Sequence, residues 1–153
     1  MKIAVSTDER THLVDAVLED LIRRGHEVVY VGPEAGEESD WPEVTLQAVE
    51  RVAQREADEA IVMCWTGTGC TISANKVPGI RAALCADAET AKGARIWNHA
   101  NVLALSLRAT PEAVAKEILD AWFDTALSTD EWNLRQMQRI REIEEKYSRG
   151  PRR

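Results

Sequence analysis

A cluster of thiols, glycines and hydroxyls in the middle of the chain, and arginines placed after it, are the residues whose types and spacing can do chemistry. The run Cys64-Trp65-Thr66-Gly67-Thr68-Gly69-Cys70-Thr71 sets two thiols around two glycines and three threonines. Glycines let main-chain amides converge on one point, and such a turn ahead of a helix stabilises an oxyanion or a phosphate through unpaired N–H groups and the helix dipole. A thiol facing that turn has a lowered pKa and can act as a general base. No GKS or GKT follows and the spacing is not GxGxxG, which argues against a nucleoside triphosphate or a dinucleotide. The competing reading is a tight strand-to-helix turn with buried, inert cysteines.

Arg135 and Arg139 are four apart in a charged helical stretch, so both guanidinium groups project from one face and can fork onto a single phosphate. A solvated charged face, with Glu131 and Glu142 as partners, is the plain alternative. Cys64, Cys70 and Cys85 form no CxxC pair and have no histidine at zinc spacing, so free thiols in a reducing compartment are expected, with no metal.

These groups need a scaffold. Short β-branched runs at Lys2–Ser6, Glu27–Val31, Glu59–Cys64, Arg81–Cys85 and Val102–Ser106 read as five buried strands. The segments between them carry apolar residues at helical spacing, such as Leu13, Val14, Val17 and Leu21 or Val114, Ile118 and Trp122. Strands alternating with helices imply right-handed crossovers, a mostly parallel sheet and helices on both faces. In such an open sheet the functional crevice lies beyond the carboxyl ends of the strands, which selects Asp8 and Glu9, the Cys64–Thr71 turn, Cys85 and Arg108. Ser128 followed by Glu131 reads as the cap of a long last helix. The narrow apolar stripe of that helix, Leu134, Met137, Ile140, Ile143 and Tyr147, leaves room for a partner subunit as its second wall.

The chain of 153 residues fits one domain, read as 1–150, with Gly150–Arg153 frayed. A formal charge of −7 disfavours nucleic acid. No apolar run reaches the roughly 18 residues needed to cross a bilayer, and the polar N-terminus has no secretory pattern, so the expected location is the cytoplasm.

Beyond the turn the text runs Ile72-Ser73-Ala74-Asn75-Lys76-Val77-Pro78-Gly79-Ile80-Arg81-Ala82. Together with Cys64-x-Thr-Gly-x-Gly it resembles the signature of the ribose-5-phosphate isomerase B and galactose-6-phosphate isomerase superfamily. Asp8, Asp40-Trp41-Pro42, Asn98, Asn101, Arg108, Arg135 and Arg139 stand where that family has comparable residues, so the resemblance covers nearly the whole chain. It implies a Rossmann-like three-layer α/β/α domain whose last helix packs on a partner subunit. It further implies a homodimer or tetramer with active sites shared between subunits, a phosphorylated monosaccharide as substrate, no cofactor, and aldose–ketose isomerisation through a cis-enediolate. The base would be Cys64, with Cys70, where another branch has glutamate, as the alternative. Amides of Gly67, Thr68 and Gly69 would hold the developing oxyanion, Thr66 would donate to a substrate oxygen, Asp8 would bind sugar hydroxyls, and Arg108 with Arg135 and Arg139 would grip the phosphate.

Three pocket positions depart from the pattern. Glu9 stands for a phosphate-facing histidine, with Arg10 as its expected partner; Trp97, before Asn98, stands for the ring-opening histidine; and Trp65 stands for glycine. Indole has no acceptor nitrogen, so a smaller or open-chain substrate such as a tetrose phosphate is expected, unless His99 takes over the lost role. The alternative is a diverged member that binds a sugar phosphate without turning it over. Trp122 and Trp132 are read as core and interface fillers, and His12 and His26 as surface or packing residues.

Overall fold

A computed structural model describes residues 1–148; the expected fraying of Gly150–Arg153 lies outside them. Five strands, β1 (Lys2–Thr7), β2 (Glu27–Val31), β3 (Glu59–Cys64), β4 (Ala82–Leu84) and β5 (Val102–Ser106), form one sheet in the order β2-β1-β3-β5-β4. Every pair in the sheet is parallel, where the sequence indicated mostly parallel strands. The helices are α1 (His12–Arg23), α2 (Trp41–Ala53), α3 (Thr68–Ala74), α4 (Ala88–Asn98), α5 (Glu112–Asp124) and α6 (Glu131–Ser148).

The strand order dictates the layers. Stepping from β1 out to β2 and from β4 back to β5 with right-handed crossovers places α1 and α4 on one face, while the steps from β2 to β3 and β3 to β4 place α2 and α3 on the other. The core divides accordingly. Ile3, Val5, Ile61, Met63, Leu103 and Leu105 point at α1, α4 and α5, where Trp122 is the largest buried side chain. Ala4, Ala60, Val62, Cys64, Val102 and Ala104 point at α2 and α3. The interior strand β3 is buried along its whole length, the pattern of a parallel strand covered on both faces.

Local signals fix the ends. Gly25, at φ +83°, ends α1 with a left-handed turn. The last helix starts at Glu131, and its cap is Asp130 rather than Ser128: the Asp130 carboxylate accepts from the Asn133 N–H at 2.9 Å, while the Ser128 hydroxyl bonds that carboxylate. Strand β4 is shorter than the run Arg81–Cys85, because the Arg81 N–H is taken by Asn101 Oδ1 at 2.8 Å. Of the two tryptophans read as core and interface fillers, Trp122 is core and Trp132 lies on the surface of the single chain.

Two asparagines from the recognised motif are structural. Asn75 Oδ1 accepts from Ala82 N–H and its Nδ2 donates to Ala82 O, each at 2.9 Å, so one side-chain amide imitates a neighbouring strand along the free edge of β4. Asn101 pins the turn before β4 through Arg81 N–H and Gly79 O. Asn75→Ala removes both edge bonds and is expected to lower stability by about 1–2 kcal/mol, read as an earlier urea midpoint with unchanged slope.

Candidate active site

The topological switch point lies between β1 and β3, and the carboxyl ends of β1, β3 and β5 converge there. Asp8 and Glu9 follow β1, the Cys64–Thr71 turn follows β3, and Arg108 follows β5. Register places Thr7 beside Met63 and Ser106 beside Cys64. The two strand ends are then tied: Leu107 N–H donates to Cys64 O, and Trp65 O accepts from both Arg108 N–H and Ser106 Oγ, at 2.9–3.0 Å. These bonds hold Trp65 at the mouth of the crevice, 57% exposed, with the Arg108 guanidinium 6.0 Å from its ring centroid. Sequence reasoning missed Ser106, whose only signal was its place at a strand's carboxyl end. Thr66, Cys85, Ser106, Arg108 and Thr110 line a cavity of about 570 Å³ on this side of the turn.

The turn demands glycine at two positions. Gly67 has φ +76°, and a Cβ there would sit 2.5 Å from Leu84 Cδ1 and 3.1 Å from the Leu105 backbone. A Cβ on Gly69 would press within 3.1 Å of the Trp41 indole, which covers the turn from the start of α2. Asp40-Trp41-Pro42 therefore belongs to a helix start, with proline in the first turn. Thr66 and Thr68 share a hydroxyl hydrogen bond of 2.7 Å. The first-turn amides of α3, from Thr68 and Gly69, have no carbonyl four residues back within the helix.

Cys64 ends β3 with 5% of its surface exposed, and its sulfur accepts from Cys70 N–H at 3.5 Å. Its thiol is lowered from the ordinary range to about 6, first by the neighbouring Cys70 thiol and, against burial and the nearby Asp8 carboxylate, by the N–H groups of Cys70 and Gly67. The donors belong to the turn that the sequence sets beside this thiol. Cys70 is completely buried, and its thiol is pushed far up by the neighbouring Cys64 and by burial. Burial also raises Cys85, to about 12. All three cysteines are free thiols.

Asp8 keeps one buried carboxylate oxygen without a protein partner, and burial, with Glu9 and Glu38 close by, raises its pKa. Glu9 is exposed and bridges to Glu38; Arg10, its expected partner, pairs instead with Asp15 at 2.8 Å and Glu34 at 3.3 Å.

The remaining residues lie elsewhere. Trp97 and Asn98 end α4 at the amino edge of the sheet, one strand length, roughly 17–20 Å, from the crevice. There they line a groove of about 1310 Å³ between the β4 edge and α6, together with Trp132, Arg139, Ile140 and Tyr147. Arg135, on the same helix, lies 3.9 Å from Glu131. Of the stripe on α6 only Met137 is buried; Leu134, Ile140, Ile143 and Tyr147 face outward. His99 caps α4 in a left-handed conformation, and its Nε2 lies 2.8 Å from Ser128 O, which ties it to the chain leading into α6 and away from the crevice. His12 pairs with Glu112, and His26 packs on Phe123, as surface and packing residues do. Among the described residues no cluster of three or more His, Cys, Asp or Glu could hold a metal, and no helix is long and apolar enough to cross a membrane.

The doubly wound sheet, with a thiol and a glycine-containing turn at its switch point, defines a class: α/β proteins whose functional crevice lies beyond the strand ends. Comparison with known proteins narrows it. The sequence model described as Ribose/Galactose Isomerase matches residues 3–143. Ribose-5-phosphate isomerase B of Escherichia coli (strain K12) is 40% identical over 106 residues, 69% of this chain and 71% of that protein. D-erythrulose-4-phosphate isomerase of Pectobacterium atrosepticum is 36% identical over 126 residues, 81% of this chain and 83% of that one. The structure of Clostridium thermocellum ribose-5-phosphate isomerase B superposes with a TM-score of 0.91 at 38% identity, covering 96% of this chain and 99% of that chain. The chain belongs to the ribose/galactose isomerase family of sugar-phosphate isomerases.

Proposed function

We propose that the protein interconverts the aldose and ketose forms of a small phosphorylated sugar through a cis-enediolate, with Cys64 as the base, in a site completed by a second copy of the chain. The partition of the site residues carries this reading. A thiol and a donor-lined turn stand at one edge of the sheet, while Trp97, Asn98 and Arg139 line a groove at the other, under an α6 whose apolar stripe is mostly uncovered. Neither half is sufficient alone. A two-fold pair of chains brings the α6 groove of one against the crevice of the other, and the apolar stripe supplies the interface.

The chemistry follows from the donors present. The Cys64 thiolate takes the proton from the carbon beside the carbonyl, the electron pair moves onto the carbonyl oxygen, and the amides of Thr68 and Gly69 hold the resulting oxyanion, the Gly67 N–H being taken by the Cys64 carbonyl at 3.2 Å. Returning the proton to the adjacent carbon completes the isomerisation, with Thr66 donating to a substrate oxygen. The unpartnered Asp8 oxygen accepts from a sugar hydroxyl. Arg108 meets the phosphate together with Arg135 and Arg139 of the partner subunit.

Substrate size follows from the two exposed indoles, Trp65 and Trp97. They narrow the space, and Trp97 offers no acceptor for opening a furanose ring; a tetrose 4-phosphate forms no such ring and needs no opening. The relative named D-erythrulose-4-phosphate isomerase supports the same size class. Turnover of tetrose 4-phosphates, ribose 5-phosphate and hexose 6-phosphates in deuterated water tests both parts. The expected result is kcat/KM for the tetrose at least about tenfold above the others, with deuterium at the carbon beside the carbonyl. A preferred pentose would remove the size argument. Binding of all three without deuterium uptake would leave a sensor rather than an enzyme.

A further inference from the structure

The mechanism leaves one group beside the base without a task, the thiol of Cys70. No substrate atom reaches it, since Cys70 has no exposed surface. Its sulfur lies 3.2 Å from the carbonyl oxygen of Gly67. That oxygen already accepts from Thr71 N–H at 3.3 Å and from Thr71 Oγ1 at 2.6 Å. A carbonyl has two lone pairs, so the Cys70 proton is a third and weakly held donor there. The Cys70 main-chain N–H donates to the sulfur of Cys64 at 3.5 Å, so the two cysteines are neighbours across the turn. A thiol donates poorly to a neutral carbonyl and far better to an anion.

We propose that Cys70 is a positioning residue for the isomerisation: its thiol proton turns from the Gly67 carbonyl to the sulfur of Cys64 whenever Cys64 is a thiolate, and so keeps the base charged and aimed at the crevice. The proposal rests on Cys64 being the base. No bond to hydrogen is broken at Cys70 at any stage. When Cys64 takes the sugar's proton it loses its charge, and the Cys70 proton swings back to Gly67; when Cys64 returns that proton the swing reverses. The charged and titratable groups acting on the pair are each other and the Asp8 carboxylate beyond β1, which opposes the thiolate and which a donor from α3 offsets.

The test is the pH dependence of iodoacetamide alkylation, with the modified residue located by mass spectrometry, alongside kcat and KM in wild type, Cys70→Val and Cys70→Ser. Valine removes the donor at similar volume. The Cys64 alkylation midpoint is expected to rise by about one pH unit in Cys70→Val, with about a tenfold loss of kcat/KM on the acid side, little change in KM, and most of the loss recovered at alkaline pH. Serine restores a donor and should bring the midpoint back toward wild type. A role in packing alone would lower kcat equally at every pH and leave the midpoint in place, and that result overturns the proposal. So does alkylation of Cys70 ahead of Cys64 in the native wild type, a measurement that needs no variant to fold. Alkylation reads Cys64 without turnover. If Cys64→Ala still isomerises while the midpoint shift is present, the assignment of the base fails and the hydrogen bond stands.

Discussion

Cys64→Ala is expected to lower kcat by about 10³-fold or more while leaving KM nearly unchanged, because a positioned general base contributes about 10²–10⁴-fold and the other groups that hold the ligand stay in place. The same variant should stop uptake of solvent deuterium by a bound substrate. The pH profile supplies a second readout. With Cys64 as the proposed base the active form is the thiolate, and its surroundings lower the thiol to about 6. In the wild type kcat/KM therefore climbs with pH up to about 6 and levels above it, whereas an unperturbed thiol would still be climbing at about 8. Any residual activity of Cys64→Ala should lack this acid limb. A variant that keeps a tenth of the wild-type rate, with the limb intact, would transfer the role of base to another group.

How far this could be read from the sequence depended on the range of the interaction involved. The strands and their order in the chain were legible because a buried parallel strand is a short apolar run, and Glu59–Cys64 is apolar along nearly all of its length. The turn was legible for a similar reason: Gly67 and Gly69 answer to local needs, a positive φ in one case and the press of Trp41 in the other. Only the partner, Trp41, was out of view. Side-chain pairings across the chain were not legible. Arg10 looked like the neighbour of Glu9, yet it spans to Asp15 and Glu34. Asn75 and Asn101 carried the resemblance with no role attached, and they satisfy main-chain groups around the edge strand β4. The cause of the lowered thiol was also hidden. Six residues separate Cys64 from Cys70, and nothing in their spacing shows that a helix start turns one donor back onto the other. The resemblance named the residues of the site, but only the topology separates those at the crevice from those at the far groove.

That separation makes the second large effect a test of assembly as much as of binding. Arg139→Ala and Arg135→Ala each remove a charged hydrogen-bond donor, worth about 1.5–3 kcal/mol to a phosphate, so each is expected to raise KM by about 10–100-fold. On its own that result fits a self-contained site equally well. Mixing decides. A Cys64→Ala subunit keeps both arginines, and an Arg139→Ala subunit keeps its thiol and turn. If the crevice of one chain is completed by α6 of the other, a dimer of the two variants has one site made wholly of wild-type groups and one that lacks both. Random reassociation of equal amounts makes half of the dimers mixed, each with one of its two sites intact, so about one quarter of the wild-type rate should return from two nearly inactive proteins. The outward-facing Leu134, Ile140, Ile143 and Tyr147 give the same arrangement a packing readout. Leu134→Glu places a charge on the apolar stripe, outside the groove lined by Trp97 and Arg139, and should reduce both the dimer fraction in sedimentation and the restored activity together. Rescue that is absent on mixing, in variants that still associate, would place the phosphate-binding arginines and the thiol in one chain and leave the groove at the β4 edge without a catalytic task.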